Sequence, residues 1–454
     1  MSKLGFDFPA AVRKTALHET EEWYQHLLAE RTGKPYEPIM RSNFGEYNMA
    51  VHYLTSVLEE AKAIEKVAVF NIDHMAQLEF KGRDAINLLE RVLPAQVNSM
   101  SIGQCKYTLL LNPAGGVIDD LIMMRMAEER FLLVINAGHD ITDGDKIADI
   151  DHIMAYKQPG EEVTAKDVSG ELVKIDIQGP YSYKLITGLY GEGVLRNRNK
   201  PDKNMRYFTF NEFEHEGEDY IISRTGYTSR WGWELYVPLK VASEQFKLIV
   251  IQALELGGLL VGLGGRDENR ISAGNFGLPL NGSEYRPEWT PTNCPLFTAA
   301  IDMTKERFPG KAEIEREIAA GIDKRLVIVI SEGIVLERSI YLNGKRLGIV
   351  TSSINSPNVS QEKREFIGSK RKSVNGIEGT AAIGLAWLEH NPFEVDTEGN
   401  DILTKEGQAV RIAVEFYRED ESGNAIGKPV LGFVSGDGVN EATAPKALKN
   451  IEIL

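Results

Sequence analysis

Four short stretches carry residue types that could do chemistry. In NPAGGVIDDLIMMRM, Asn112–Met126, two adjacent carboxylates, Asp119 and Asp120, stand between a Gly-Gly turn and an aliphatic run. If that run is a strand, neighbouring side chains point to opposite faces, so one acid enters a core or cleft while the other faces out. A buried acid of raised pKa makes a good general acid, whereas the commoner use of Asp is to shape a turn and solvate a strand end. In RTGYTSRWGWELYVP, Arg224–Pro238, Glu234 sits between Trp233 and Leu235 in a segment otherwise fit for burial. Desolvating that charge is expensive, so it should receive either a core Arg or a ligand with two adjacent N–H donors. In GLGGRDENRISAGNFG, Gly262–Gly277, Arg266 precedes Asp267 at an expected helix start. There Asp267 can cap free amides, and Arg266, presented in a turn, can grip a carboxylate or flat heterocycle or tie loop to helix through an ion pair. The stretch lacks GxGxxG spacing and follows no well-defined strand, which argues against a dinucleotide loop. Finally, FNIDHM, Phe70–Met75, sets Asp73 and His74 in an apolar run, where a His is either a satisfied core residue or a catalyst.

These residues must be positioned by elements the pattern makes legible. Residues 21–24 fall in a helical stretch, residues 31–49 read as irregular connection, and apolar spacing over residues 52–63 is helical. VAVFNID and QLEFKG read as strands, RDAINLLERVL as a helix, and CKYTLLLN, VIDDLIMMRM and RFLLVINA as three more strands. A second block of similar flavour follows: ELVKIDIQGP as strand, SYKLITGLY as helix, a hairpin over residues 205–225, WELYVP as strand and VASEQFKLIVIQALELG as a helix stopped by Gly257-Gly258. The mixed order predicts α+β layers with antiparallel strands. After residue 311 a helix leads into short strands with an Asn343-Gly344 hairpin turn, as in a small β-barrel or roll. The domain organisation read from this is an extension over 1–45, a core of two α+β domains over 46–315 and a mainly β domain over 316–454, with the last boundary near 315–325.

Composition narrows the function classes. With 454 residues, two or three domains are expected. Lys+Arg 51 against Asp+Glu 66 gives a net charge of -15 with signs interspersed, which speaks against a nucleic-acid partner. The basic stretch around Lys363–Lys372 reads as a solvated loop. Cys105 and Cys294 have no partners at metal-ligand spacing, so neither a disulfide framework nor a metal site is expected, and a reduced, cytoplasmic setting fits. The charged N-terminus does not read as a signal peptide and no apolar run approaches the ~18–20 residues of a membrane span.

Taken in order, FNIDHM, NPAGGVIDDLIMMRM, FLLVINAGH (Phe131–His139), SRTGYT with GWELYVP, GLGGRDENRISAG, LGIVTSSINSP (Leu347–Pro357) and IGLAWLE (Ile383–Glu389) resemble the aminomethyltransferase family, the folate-binding T-protein of glycine cleavage and its relatives. The resemblance spans roughly residues 45 to 415. It implies a three-domain, cloverleaf-like fold holding tetrahydrofolate, with Asp120 as the catalytic carboxylate near the reacting folate nitrogens. Glu234 would meet the pterin donors, Tyr227 and Arg266 fall on ligand-contacting positions, and Tyr107 and Asn136 on pocket positions flanking the acid pair. Asp119 would then hold the turn.

The sequence departs from the T-protein pattern at Ser229-Arg230-Trp231, where base and aromatic replace acid, and over Gly277–Leu296, which carries Trp289, Asn293 and Cys294. Together with the N-terminal extension, these departures resemble the family's demethylase branches, in which a free small molecule with a methoxy, methylenedioxy, methylsulfonio or methylamino group gives its carbon to folate. His74 stands where such a demethylase would place a His to protonate a departing phenolate, although T-proteins share it. Tyr47, Tyr53, Trp231 and Trp233 could stack on a substrate or fill the core. The expected activity is thus a tetrahydrofolate-dependent methyl or methylene transfer from a small molecule. The alternatives are the glycine-cleavage aminomethyltransferase, which alone would need a lipoyl carrier protein, and a non-catalytic folate-binding protein.

Overall fold

The computed structural model describes residues 13–54, 56–142, 147–228, 230–272, 282, 284–285, 287–294, 300–321, 324–356, 373–374, 377–378, 381–389, 411–420 and 422–435. Within them the chain forms two compact units, the larger built from residues 13–266 and 300–311 and the smaller from 267–294 and 312–435. The basic stretch around Lys363–Lys372 and the end of the Gly-rich stretch, 273–277, lie outside the described residues.

The larger unit opens with α1 (His18–Thr32), then β1 (Met40–Phe44) and β2 (Tyr47–His52), α2 (Val57–Ala61), β3 (Ala68–Asn71), β4 (Ala76–Lys81) and α3 (Ala85–Val92). Next come β5 (Cys105–Leu111), β6 (Val117–Ala127), β7 (Arg130–Ile135), α4 (Asp149–Met154), β8 (Thr164–Asp167), β9 (Leu172–Gln178) and α5 (Ser182–Tyr190). A short hairpin, β10 (Arg196–Asn197) and β11 (Lys200–Asn204), precedes β12 (Phe210–His215), β13 (Glu218–Ser223), β14 (Gly232–Pro238), α6 (Leu239–Glu255) and β15 (Leu259–Leu260), and α7 (Leu263–Ser272) starts in this unit and continues into the smaller one. Two expectations near the start fail. The stretch read as irregular contains the β1–β2 hairpin, closed at Gly45, and the helix expected over 52–63 begins only at Val57, because residues 47–52 pair as β2. Cross-strand pairing there overrides a local helical spacing.

Two sheets carry this unit, with strand orders β5-β6-β7-β4-β8 and β12-β13-β14-β9-β3-β15. In the first, the turn between β5 and β6 is the NPAGG stretch: Asn112 Oδ1 accepts from Gly116 N at 2.9 Å, and Gly115 takes the positive φ of 83° that glycine tolerates. One face of the sheet packs Leu110, Leu121, Met123, Leu133 and Ile135 against Ala85, Leu88, Leu89 and Val92 of α3, whose i, i+3, i+4, i+7 spacing makes one apolar stripe. The opposite face packs Cys105, Met124, Leu132 and Val134 against Ile221 and Tyr236 of the second sheet.

The second sheet is two-faced for the same reason of alternation. Val173, Ile175 and Ile177 of β9 enter a core with Trp233, Leu235, Phe246 and Ile249, while Lys174, Asp176 and Gln178 point the other way. That polar face is also buried, which periodicity alone does not reveal. In the smaller unit β16 (Arg325–Ser331), β17 (Ser339–Leu342), β18 (Lys345–Ser356), β21 (Ala381–Leu388), β22 (Arg411–Glu419) and β23 (Ala425–Ser435), with the minor strands β19 (Ser373–Val374) and β20 (Ile377–Glu378) between, include a closed barrel of order β16-β21-β18-β17-β22-β23. Its first hairpin turns at Asn343-Gly344, with φ of 51° and 76°, the expected turn chemistry. No helix among the described residues is long and apolar enough to cross a membrane.

Candidate active site

Asp120 lies on β6, buried, on the face that bears Ile122 and Met124. A polar side chain reaches it from each side. Tyr107 Oη of β5 donates to Asp120 Oδ2 at 2.8 Å, and Asn136 Nδ2, just past β7, donates to Asp120 Oδ1 at 2.8 Å. Asp119 points to the other face yet serves the same group: its Oδ1 accepts from the Asp120 amide at 2.8 Å and from Asn136 Nδ2 at 2.7 Å. The paired acids take opposite faces, as strand alternation predicts, but Asp119 does not face out as expected: it is buried too, and it fixes the backbone and the Asn136 amide. Three of the sequence-predicted residues, Tyr107, Asp120 and Asn136, form one hydrogen-bonded group across three adjacent strands.

A second group gathers on the buried polar face of the other sheet. Glu234 of β14 is directly opposite Asp176 of β9. Glu234 Oε2 accepts from Thr225 Oγ1 at 2.5 Å and lies 3.3 Å from Lys174 Nζ. Glu234 thus receives a core cation, but a Lys from the neighbouring strand rather than the expected Arg. Arg266 Nε stands 4.0 Å from Asp176 Oδ2, and its guanidinium lies over the Tyr227 ring, 3.9 Å from the centroid. Two acids and two bases thus share one dry site, which offsets the cost of burying each. Burial and the nearby Glu234 push the Asp176 carboxyl up, and burial holds the Lys174 ammonium below its usual range against the pull of both acids. His74, fully enclosed in the turn between β3 and β4, is held well below its ordinary pKa by burial and then by Arg266 and Lys174. It is a neutral imidazole at the edge of this second group, outside the Asp120 hydrogen bonds, with Nδ1 buried and unpartnered.

Lys174 and Asp176 escaped the sequence reading. Their signal was the alternation in LVKIDIQ, whose polar positions read as a solvated strand face until a second layer covers them. Arg266 also differs in its setting. It lies in the first turn of α7, its amide donating to the Gly262 carbonyl at 3.0 Å, so Asp267 is too far along to cap the helix and instead pairs with Arg270. A short strand, β15, does precede this helix, and the glycines serve close packing: a Cβ on Gly262 would stand 2.3 Å from the Val51 carbonyl oxygen. Of the aromatic candidates, Tyr53 and Trp233 are core, and Trp231 lies over the Arg224 guanidinium at 4.0 Å. In the smaller unit Trp289 packs on Trp387, and Asn293 and Cys294 are buried.

Comparison with known proteins gives a consistent result. Residues 40–305, more than half of the chain, match the GCVT N-terminal domain. An aminomethyltransferase of Desulfitobacterium hafniense is 33% identical over 329 residues, covering 70% of this chain and 83% of its own. One from Bacillus cereus is 29% identical over 386 residues, 84% of this chain and 94% of its own. The crystal structure of the glycine cleavage system aminomethyltransferase T from Bartonella henselae superposes with a TM-score of 0.67 at 22% identity, covering 93% of this chain and 96% of that one, and so shares the fold.

Proposed function

Because the chain belongs to the aminomethyltransferase family, we propose that it is a tetrahydrofolate-dependent transferase that moves a methyl or methylene group from a small methoxy, methylenedioxy, S-methyl or N-methyl compound to folate. The observation that carries the reading is the Asp120 carboxylate, buried and held on both oxygens by Tyr107 and Asn136. A group fixed in this way, on rigid strands and largely out of water, is prepared to exchange a proton or to stabilise positive charge at a nitrogen without reorganising.

The residues fit the folate they would hold. Asp176 Oδ2 and Arg266 Nε are buried acceptor and donor without hydrogen-bond partners, and neither Thr225 nor Lys174 uses Glu234 Oε1. A pterin carries flat, adjacent N–H donors and ring acceptors of matching kind. Glu234 and Asp176 would bind its donors, Arg266 on Tyr227 would present its guanidinium to an acceptor, and Lys174 would keep the acid pair from repelling. Tetrahydrofolate, when bound, supplies the nitrogen nucleophile. Asp120 would move the proton, Tyr107 and Asn136 would orient it, and His74, neutral, would contribute a hydrogen bond rather than a charge.

The curated relatives are named aminomethyltransferases, which supports a second reading, aminomethyl transfer, for which the donor would be a lipoyl-bearing carrier protein. A product assay with tetrahydrofolate separates the two: conversion of free methoxy, methylenedioxy, methylsulfonio or methylamino compounds supports the first, and activity only with an aminomethylated carrier supports the second. Silence with every donor, despite folate binding, would leave a non-catalytic folate-binding protein.

A further inference from the structure

Beside the Asp120 group lies a second cluster that folate chemistry does not use. Glu46, in the turn of the β1–β2 hairpin, is only 4% exposed, and both its carboxylate oxygens are buried without a hydrogen-bond partner. His139, three residues after Asn136, is equally buried; its Nε2 pairs with Asp167 Oδ2 at 3.0 Å, and its Nδ1 is buried and unpartnered. Asp140 follows it. A ring nitrogen of His139 and one oxygen each of Glu46 and Asp140 lie within 4.8 Å of one another. Arg13 spans the two acids, 2.7 Å from Asp140 Oδ2 and 3.6 Å from Glu46 Oε1.

We propose that Glu46, His139 and Asp140 bind a divalent cation of the zinc type, which displaces Arg13 from the two carboxylates. One imidazole and two carboxylates are ligands such an ion accepts, with a water completing the set. The environment of His139 supports the assignment. A metal-bound His commonly gives its other N–H to a carboxylate, and Asp167 takes that place on Nε2, leaving Nδ1 for the ion. An Arg alone serves Glu46 poorly, since it approaches one oxygen at ion-pair distance and donates a hydrogen bond to neither. The Arg13 side chain is 50% exposed, so it can leave without breaking a core. Tetrahedral ligands ~2.0–2.2 Å from zinc stand about 3.4 Å apart, which asks the donors to close by about 1.4 Å or less.

The ion would fasten the hairpin turn to the segment that carries Asn136. A Cβ on Gly45 would stand 2.9 Å from Ala137 Cβ, and the Phe44 ring meets His74 edge-on at 5.0 Å between centroids. The same turn therefore touches a neighbour of each site group, and cation binding becomes a way of fixing the N-terminal extension on the site.

The test is calorimetric titration of the chelator-treated full chain with Zn²⁺, with Co²⁺ absorption as a second readout, and it needs neither folate nor activity. The expected result is one saturable site with a Co²⁺ spectrum of low coordination number, lost in His139→Ala and Glu46→Gln. Asp167→Asn should weaken it by about 10–100-fold, as for other residues that orient a metal-bound His. Arg13→Met, which removes the competing charge and cannot be mistaken for misfolding, should bind Zn²⁺ more tightly. Absence of saturable binding, affinity unchanged in Glu46→Gln, or weaker binding in Arg13→Met would each overturn the site.

Discussion

Asp120 accepts from Tyr107 on β5 and from Asn136 just past β7, so its replacement isolates charge from geometry. Asp120→Asn should keep folate affinity and lose turnover by about 10²–10⁴, the usual range for an acid–base residue, measured by single-turnover product formation. Full turnover in that variant would remove Asp120 from the mechanism. Lys174 is the buried cation 3.3 Å from Glu234, and Lys174→Met should cost about 3–5 kcal/mol in urea unfolding, because Glu234 is then left buried without its ion-pair partner. Asp73 provides a pH test. Burial pushes its carboxyl up to about 7, against backbone N–H bonds from Ala16 and Lys174. An unfolded Asp titrates near ~3.9, so between that value and the raised one the folded chain holds a proton the unfolded chain has released. Stability contributed by protonated Asp73 is thus complete below ~3.9 and lost as pH rises through about 7. Asp73→Asn should flatten the fall in unfolding free energy across that window; an unchanged slope would assign it to other groups such as Glu60, which burial also pushes up to about 7.

At the scale of elements, the described part of the N-terminal extension, from residue 13 onward, packs into the core. Leu17 and Tyr24 are wholly buried among Val69, Ile175 and Trp233, and Glu21 of α1 accepts from Tyr53 Oη at 2.6 Å, Asn71 Nδ2 at 2.7 Å and Arg41 at 2.7 Å. Leu17→Ala should therefore destabilise the protein by about 2–5 kcal/mol, and an unchanged melting temperature would show the helix to be dispensable. The Gly257-Gly258 stop after α6 does more than end a helix. A Cβ on Gly258 would stand 2.0 Å from the Val67 carbonyl oxygen, so the strand β15 can lie along β3 only with glycine there. The same economy explains the GLGG stretch, which spacing alone could only exclude as a phosphate loop.

At the scale of the whole molecule, ligand binding should be visible as stability. Tetrahydrofolate at 100 times its dissociation constant should stabilise the fold by about 2.7 kcal/mol, read as a rise in melting temperature. That rise should persist in Asp120→Asn and vanish in Glu234→Ala, a pattern that separates the residue assigned to chemistry from the one assigned to binding. Equal losses in both variants would merge the two groups into one binding site.

Strand alternation and turn chemistry are local properties, so the sequence by itself determined the strand that carries Asp120, the NPAGG and Asn343-Gly344 turns, the amphipathic α3 and α6, and the small β unit near the end. The order of its motifs determined the family. Only the tertiary structure decided which polar faces are dry. Lys174 and Asp176 lie on a polar strand face whose burial alternation does not reveal, Tyr53 and Trp233 resolve into core, and Arg266 moves from a turn into a helix. Glu46 and His139 are 93 positions apart in the chain and carry no spacing signal at all. Burial and the meeting of distant side chains are non-local, and periodicity, which reports only which face a residue takes, cannot say what that face will meet.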